Sequence, residues 1–309
     1  MSGVNYNFLL ALVVIAIGFL LKSGNIISEQ NGKVIAKLVF NITLPSVIFR
    51  TIVSISITPQ LFLLAIIPIM YASVLFLITY VFLRNKELDV KGLSLMSVMG
   101  FNVVHLAFPL IEGIWGQEGL KYIAMFDVGN GFVIFLMSYL VGSVFSPKND
   151  HLEKKQLFKA GFKKIATSGP LLAYFIALPL NLIGVVIPQF FSDIINKFAD
   201  ANSALTLLLL GIFLNFKFES HQWKQIGRVL FFRYAFGLFI GLLLFFLLPF
   251  ELLYRGILVI GLVLPIGLAV IPFTVEFLYD EKVAGTMVNI SIIISFGLMW
   301  ILILVLGFG

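Results

Sequence analysis

The feature that most constrains this chain is a series of apolar stretches that are each long enough to cross a lipid bilayer. A transmembrane helix needs about twenty consecutive apolar residues, and such stretches follow one another along the chain with short polar segments between them. Hydrophobic residues make up 60% of the 309 residues and charged residues 12%, whereas soluble domains carry roughly 25% charged residues. The sequence therefore predicts an all-α polytopic membrane protein with no extramembrane domain.

We predict ten transmembrane spans. No basic segment precedes the first apolar stretch and no small-residue cleavage site follows it, so we interpret it as a retained helix and not as a signal peptide. The predicted spans cover residues 5–22, 34–54, 60–83, 93–115, 119–145, 168–187, 201–216, 225–248, 256–278 and 286–308.

A basic segment separates the fifth span from the sixth. Residues 146–167 contain six lysines against one Asp and one Glu, and short loops rich in Lys and Arg lie on the cytoplasmic side of a membrane. If this loop is cytoplasmic, ten alternating spans put both termini outside, and most of the other basic residues fall inside. We therefore predict a multi-pass protein of the cell membrane. Its net charge of +6 then reflects cytoplasmic loops and not a nucleic-acid partner.

The odd number of spans before the basic loop predicts an inverted repeat. The five spans within residues 1–145 and the five within 168–309 would enter the membrane in opposite directions. Faint self-similarity supports this interpretation, because an offset of 163 residues brings Pro109 onto Pro272 and Glu118 onto Glu281.

Two spans, the fourth and the ninth, are interrupted near their middle. The fourth contains Asn102, His105 and Pro109, and the ninth contains Gly267 and Pro272. Unpaired backbone groups cost several kcal/mol in hydrocarbon, so irregular backbone at this depth is expected where it lines a protein cavity. Broken helices in corresponding places of two halves predict the binding site of a transporter.

Two segments of the sequence resemble the auxin efflux carrier family of secondary transporters. They are GFLLKSGNIISEQNGKVIAKLVFNITLPSVIF and GFNVVHLAFPLIEGIWGQEGLKYIAMFDVGNGF. The residues that carry the resemblance are Asn41, Leu44, Pro45, Asn102, Pro109, Gly116 and Gly119. The resemblance covers nearly the whole chain, and it departs from the family pattern at His105, where a small or polar residue is expected.

The resemblance implies two inverted five-helix repeats whose fourth and ninth helices cross where they unwind, as in bile-acid symporters and some sodium/proton antiporters. It implies a scaffold of spans 1, 2, 6 and 7 and a moving transport domain of spans 3–5 and 8–10. Bacterial members are similar to malate and malonate permeases, and plant members export auxin. The implied partners are a small organic anion, membrane lipid and a second copy in a homodimer, with no cofactor.

The two breaks predict an anion site. Proline suits the first turn of a helix, so Pro109 and Pro272 could each open a half-helix whose free N–H groups and positive dipole end bind a carboxylate. Alternatively, the prolines only kink packed helices. Asn102 suits a carboxylate, a cation or a freed carbonyl. His105 is a substrate contact, the carrier of a coupled proton or a structural residue, and Gly267 belongs to the same site.

Four residues of the fifth and tenth spans are candidates for binding a coupling Na⁺ or H⁺: Asp127, Asn130, Asn289 and Ser291. A carboxylate with nearby amides and loose carbonyls offers the oxygen ligands that a hard cation or a proton requires. Asp127 could instead form a structural pair with Arg233 or His105.

Two arginines and two residues of the second span complete the set of candidates. Arg50 and Arg233 could each attract substrate at a gate, act as a counter-ion or anchor a helix at the membrane interface. Asn41 and Pro45 could line the scaffold side of the substrate cavity or allow close helix packing.

The leading hypothesis is a secondary or potential-driven transporter of small organic anions that works by alternating access. A cation/proton exchanger of the same architecture is the alternative, although neither break contains an Asp between Asn102 and Pro109 or between Pro265 and Pro272. A membrane ligand sensor is a further alternative. We predict no enzyme and no metal site, because the chain has no cysteine, no zinc-ligand spacing, no phosphate-binding loop and no nucleophile paired with a base.

Overall fold

The computed structural model of the chain describes residues 3–146, 163, 166–215 and 222–308. The regular elements within these residues are helices, and the described part of the chain contains no β-strand. An isolated antiparallel bridge joins Phe101 to Ile266. Most of the predicted basic loop 146–167 lies outside the described residues.

The first four helices are α1 (Gly3–Ser23), α2 (Glu29–Leu38), α3 (Leu44–Ser54) and α4 (Pro59–Phe82). Ser28 begins α2, because its hydroxyl accepts a hydrogen bond from the N–H of Asn31 at 3.1 Å. A π-helical turn (Val39–Thr43) joins α2 to α3. Such turns insert a residue into a helix and are frequent at functional sites.

The next helices are α5 (Leu88–Met99), α6 (Phe108–Phe132) and α7 (Tyr139–Val144). Non-helical backbone follows α5, and a π-helical turn (Val103–Ala107) leads into α6. Gly116 interrupts α6 with φ 58° and ψ −141°, a conformation that favours glycine because it has no Cβ. This kink separates the fourth predicted span from the fifth. A further π-helical turn (Val133–Ser138) joins α6 to α7.

The second half contains α8 (Gly169–Leu182), α9 (Gln189–Phe213), α10 (Trp223–Leu247), α11 (Leu252–Leu262), α12 (Val270–Glu276) and α13 (Glu281–Leu306). The non-helical stretch between α11 and α12 is the second break. Asp280 begins α13, because its carboxylate accepts the N–H groups of Lys282 and Val283 at 2.9 and 3.0 Å. Both breaks therefore lie inside predicted apolar spans.

Several predicted span ends differ from the observed helix ends, and the largest difference is at the seventh span. The seventh span was predicted to begin at residue 201, but α9 begins at Gln189. Its first turns carry exposed charges at Asp193 and Lys197, and these charges made the segment resemble a loop. The sixth span was predicted to end at 187, but α8 ends at Leu182 and the chain turns at Gly184, whose φ is 69°.

The helices pack into two groups. In the first group, α1 packs along α9, and α3 packs against both α8 and α9. In the second group, α4 packs on α6, α5 on α7, and α10 on α11. The groups meet mainly where α6 and the π-helical turn before it contact α1, α3 and α9. The space between the groups contains the cavity described below.

The structure contains helices that are long and apolar enough to cross a bilayer. Six helical segments of the described chain meet this condition, and α8 and α11 are shorter apolar helices. Large apolar side chains remain exposed on these helices, among them Leu20 at 64% and Leu77 at 60%. Such surfaces require lipid and not water. The chain is therefore an integral, multi-pass membrane protein, while the number of ten spans and the inverted repeat stay predictions.

Candidate functional site

The two helix breaks lie side by side. The N–H of Asn102 donates to the carbonyl of Pro265 at 2.9 Å, and the N–H of Gly267 donates to the carbonyl of Gly100 at 3.2 Å. These bonds flank the bridge between Phe101 and Ile266. Backbone groups that leave a helix must find partners within the protein when no water is present. Here the two breaks supply partners for each other.

Arg233 of α10 holds the carboxyl ends of two helices at these breaks. Its guanidinium donates to the carbonyls of Val98 at 2.9 Å, of Leu264 at 2.8 and 3.0 Å, and of Pro265 at 2.8 Å. It also lies over the ring of Phe101, at 4.6 Å. A positive charge at the carboxyl end of a helix is stabilised by the helix dipole. Arg233 therefore neutralises the ends of α5 and α11 together.

Complete burial decides one of the alternatives for Arg233. The side chain is 0% exposed, so the predicted role as an interfacial anchor is wrong for this residue. The hydrogen-bond partners that the structure gives it are backbone carbonyls, and it does not pair with Asp127. Its role as a gate or counter-ion stays a prediction.

Side chains of α13 satisfy the second break. The hydroxyl of Ser291 accepts the N–H of Ile266 at 3.0 Å, and the hydroxyl of Ser295 donates to the carbonyl of Val263 at 2.7 Å. Asn289 faces elsewhere, since its amide contacts the carbonyl of Gly285 and the N–H of Asn215 at 2.9 and 3.0 Å. The structure therefore does not bring Asn289 and Ser291 together with the ion candidates of the fifth span.

A cavity of about 440 Å³ lies beside both breaks. Its walls are mostly apolar, with a few polar groups, which is typical of sites for small molecules. Six of the residues predicted for the site line it: Asn41, Asn102, His105, Asp127, Asn130 and Pro272. The predicted residues Pro45, Pro109, Gly267, Asn289, Ser291, Arg50 and Arg233 are not among its lining residues.

Asn102 and His105 begin the half-helix that follows the first break. The side-chain oxygen of Asn102 accepts the backbone N–H of His105 at 3.3 Å and lies 3.1 Å from the Nδ1 atom of its ring. Pro109 lies in the first turn of α6, as predicted, but the π-helical turn before it makes the helical segment start at Asn102. Among the described residues, Nδ2 of Asn102 has no hydrogen-bond partner, and the atom is buried. Asn102 itself lines the cavity.

The ring of His105 has one nitrogen committed to Asn102. Because Oδ1 of Asn102 is an acceptor, the contact at 3.1 Å requires Nδ1 to carry a hydrogen. In the neutral ring, Nε2 is then an acceptor, and only the imidazolium ion offers a second N–H. The predicted contact between a neutral His105 and an anion would therefore have to use the N–H that Asn102 already binds.

Asp127 and Asn130 form the polar wall on α6. The side chain of Asn130 pairs with the backbone of Phe101 in both directions, accepting its N–H and donating to its carbonyl at 2.9 Å each. It also donates to Asp127 at 3.0 Å, and the hydroxyl of Tyr174 donates to the other carboxylate oxygen at 3.3 Å. Asp127 is 6% exposed. Its partners are thus an amide and a phenol, and not the predicted Arg233 or His105.

The first helix group contributes the opposite polar residues. The amide of Asn41 donates to the carbonyl of Lys37 at 2.7 Å, and Pro45 packs next to Gly169 at the start of α8. Ser168, which precedes α8, lines the cavity, and the sequence analysis missed it. A serine followed within two residues by proline is a signal for a helix start, and that signal was available in the sequence.

Arg50 joins the two helix groups outside this cavity. It binds Glu112 of α6 at 2.9 Å and Asp200 of α9 at 2.6 Å. Asp200 was not predicted as a partner. The arrangement is compatible with the predicted gate, because the pair between Arg50 and Glu112 crosses from one group to the other. Among the described residues, no cluster of three or more His, Asp or Glu side chains could hold a metal ion.

Comparisons with known proteins identify the family of this chain. The sequence matches the family model described as membrane transport protein over residues 7–303. It is 25% identical over 225 residues to an uncharacterized transporter of Methanothermobacter thermautotrophicus, covering 71% of each chain. It is 28% identical over 217 residues to an uncharacterized transporter of Methanocaldococcus jannaschii, covering 67% of this chain and 68% of the relative. The family resemblance predicted from the sequence is confirmed.

Proposed function

The chain belongs to the family of membrane transport proteins, and we propose that it carries small organic anions across the membrane by alternating access. The substrates would be mono- or dicarboxylates such as malate or malonate. The finding that this chain is a membrane transporter comes from its family, whereas substrate and mechanism are our proposals.

The unpaired amide nitrogen of Asn102 is the observation that carries the proposal. A buried donor without a partner costs about 1–3 kcal/mol, and this one is retained at the start of a half-helix in the wall of a cavity. The first N–H groups of a helix lack partners within it, and the dipole there favours negative charge. A carboxylate would satisfy both requirements.

The two helix groups suggest how the site could move. We take the group of α1, α2, α3, α8 and α9 as the scaffold, which corresponds to predicted spans 1, 2, 6 and 7, and the remaining helices as the transport domain. The bonds within the two breaks, and those of Arg233, all lie within the proposed transport domain. The crossing could therefore move as one unit, and the contact between Arg50 and Glu112 would have to break during each cycle.

The proposed orientation follows from charge. If the basic loop before α8 is cytoplasmic and the termini are external, the end of the cavity formed by Thr167 and Ser168 faces the cytoplasm. Export of an anion from a negative interior is favoured by about 2.3 kcal/mol per charge per 100 mV. Import would need a coupling ion, and Asp127 would be the group that takes up H⁺ or helps to bind Na⁺. A homodimer remains part of the proposal.

Asp127 also supports a second candidate function. A cation/proton exchanger of the same fold would need a buried carboxylate near the crossing, and Asp127 is buried beside the cavity. The two functions differ in whether transport requires an organic acid. An exchanger would acidify liposomes in response to a cation gradient without any organic acid present.

Uptake of labelled malate and malonate into proteoliposomes tests the proposed function. Asn102→Asp keeps the oxygen that caps His105, but it replaces the free N–H donor with a second carboxylate oxygen. We expect uptake to fall at least tenfold while the protein still elutes as a folded species. Asn31→Asp is the matched control, because Asn31 lies on the exposed start of α2. Equal uptake by the wild type and Asn102→Asp would contradict the proposal.

A further inference from the structure

We propose that the start of α8, formed by Ser168 and the first backbone N–H groups of the helix, is a second anion-binding point in the same cavity. This inference rests on the proposed function and assigns a residue on the scaffold side to substrate binding. The ligand group that it would hold is a carboxylate, and the ligand would thereby contact both helix groups at once.

The hydroxyl of Ser168 is the first observation. Ser168 is 6% exposed, it lines the cavity, and its Oγ has no hydrogen-bond partner within the described chain. A serine in this position usually accepts the N–H of the second or third helical residue. The second residue of α8 is Pro170, which has no N–H, and the structure shows no capping bond from Ser168. The side chain of Ser28 at the start of α2 does make such a bond.

The backbone of α8 is the second observation. Leu172 is the residue whose N–H returns to the carbonyl of Ser168, at 2.9 Å. The N–H groups of Gly169 and Leu171 come before this bond, so they have no partner inside the helix. Both residues line the cavity. With 14 residues, α8 is long enough to present the positive end of a helix dipole there.

Close packing fixes the start of α8 to the segment between α2 and α3. A Cβ atom on Gly169 would lie 2.8 Å from the carbonyl oxygen of Phe40 and 3.3 Å from Cγ of Pro45. Only glycine allows this approach to the π-helical turn between α2 and α3. The donors at the start of α8 are therefore held in position before a ligand arrives, which lowers the entropic cost of binding.

Two donor groups, one on each side of the cavity, indicate which ligand would fit. Ser168 Oγ and Asn102 Nδ2 are buried groups that can donate, and the part of the chain that the structure describes offers neither of them a partner. One belongs to the scaffold and the other to the crossing. A ligand that accepts from both would hold the two helix groups in one relative position, so its affinity would depend on that position. Binding of such a ligand would therefore favour one relative position of the two helix groups.

Ligand binding to the detergent-solubilised full-length chain tests this inference, with malate, malonate and acetate as probes. We would compare the wild type, Ser168→Ala, Ser168→Thr and the control Ser46→Ala by calorimetric titration and by thermal unfolding. Ser46 lies on α3, and its hydroxyl bonds to the carbonyl of Ile42. We expect Ser168→Ala to weaken binding of the bound acid about tenfold without lowering the melting temperature, because its hydroxyl has no protein partner. Ser168→Thr and Ser46→Ala should bind within about threefold of the wild type.

The outcomes separate this inference from the proposed function. Wild-type affinity in Ser168→Ala, together with lost binding in Asn102→Asp, would overturn the role of Ser168 and leave the transporter proposal in place. A lower melting temperature with unchanged affinity would mean that Ser168 is structural, and it would also overturn the inference. Absence of saturable binding of all three acids to the wild type would overturn both proposals.

Discussion

The first break keeps a buried amide donor without a partner among the described residues, whereas serine hydroxyls bind the backbone of the second break. In the first, Asn130 pairs with the backbone of Phe101, but Nδ2 of Asn102 has no partner in the described part of the chain. In the second, Ser291 and Ser295 bind the N–H of Ile266 and the carbonyl of Val263. The backbones are bridged to each other, yet the surrounding side chains differ in kind.

This difference suggests that the breaks have separate tasks. Both must satisfy backbone groups that a continuous helix would satisfy itself. The second break uses short hydroxyl side chains and Arg233 for this purpose, and the side chains after it that line the cavity, such as Leu268 and Pro272, are apolar. The first break uses one amide from α6 for the backbone and retains another for the cavity. We therefore expect changes at the second break to affect stability and changes at the first to affect binding as well.

The largest effect is expected from Arg233→Met, which removes the support that the two breaks share. The substitution leaves the carbonyls of Val98, Leu264 and Pro265 without their charged donor. Each unpaired buried group costs about 1–3 kcal/mol, so the melting temperature should fall by roughly 10 °C or more, or no folded protein should be recovered. Thermal unfolding and size-exclusion chromatography in detergent would measure this.

A matched arginine distinguishes this role from a general need for positive charge. Arg255→Met removes a guanidinium whose Nη1 binds one carbonyl, that of Phe245, at 2.8 Å, and it should lower the melting temperature far less. Arg233→Lys should restore part of the stability. If Arg233→Met melts as the wild type does, the common support of the two breaks is refuted.

A smaller effect is expected from removing one side chain at each break. Asn130→Ala leaves the N–H and carbonyl of Phe101 unpaired, and it should lower both the melting temperature and the affinity for malate. Ser291→Ala leaves the N–H of Ile266 unpaired, so it should cost about 1–3 kcal/mol of stability with affinity unchanged. Unfolding and calorimetric titration on the same samples would test the pair. A loss of affinity in Ser291→Ala would mean that the second break also binds the ligand.

The smallest effect is expected at the ends of the two half-helices. Glu112 of α6 reaches Arg50 of the other helix group, whereas Glu276 of α12 accepts the hydroxyl of Tyr139 in its own group at 2.6 Å. A partly exposed ion pair contributes about 0–1 kcal/mol. Glu112→Gln should therefore raise the rate of malate exchange up to about fivefold, and Tyr139→Phe should leave it within twofold. Equal exchange rates in the two variants would argue against a gate at Arg50.

The sequence predicted the broken helices because their residues contradict their surroundings. Asn102 and His105 are polar residues within an apolar span, and hydrocarbon does not tolerate such groups without a protein partner. These polar residues located the two breaks and several residues that line the cavity. Pro109 lies in the first turn of α6, as predicted. The oxygen of Asn102 begins the helical segment earlier, and a propensity rule for proline contains no information about that bond.

Other parts of the site depend on contacts between residues far apart in the chain. Arg233 binds carbonyls of two helices that the chain order separates, and its sequence position indicated only a charge within an apolar span. Ser168 lies after a basic loop, so it seemed to belong to a loop and not to a cavity. Asn289 and Ser291 are polar residues within an apolar span, as Asp127 and Asn130 are. Their side chains nevertheless bind partners other than Asp127 and Asn130.

The sequence by itself determined that this chain is a polytopic helical membrane protein with two interrupted helices, and its motifs indicated the transporter family by resemblance. The membrane topology and the interruptions follow from the cost of exposing polar groups to hydrocarbon, which acts on each segment separately. Only the tertiary structure decided that the backbones of the two breaks pair and that Arg233 joins them. It also decided that one amide of the first break stays free. Hydrogen bonds depend on distance and direction between groups, and packing brings those groups together from distant parts of the chain.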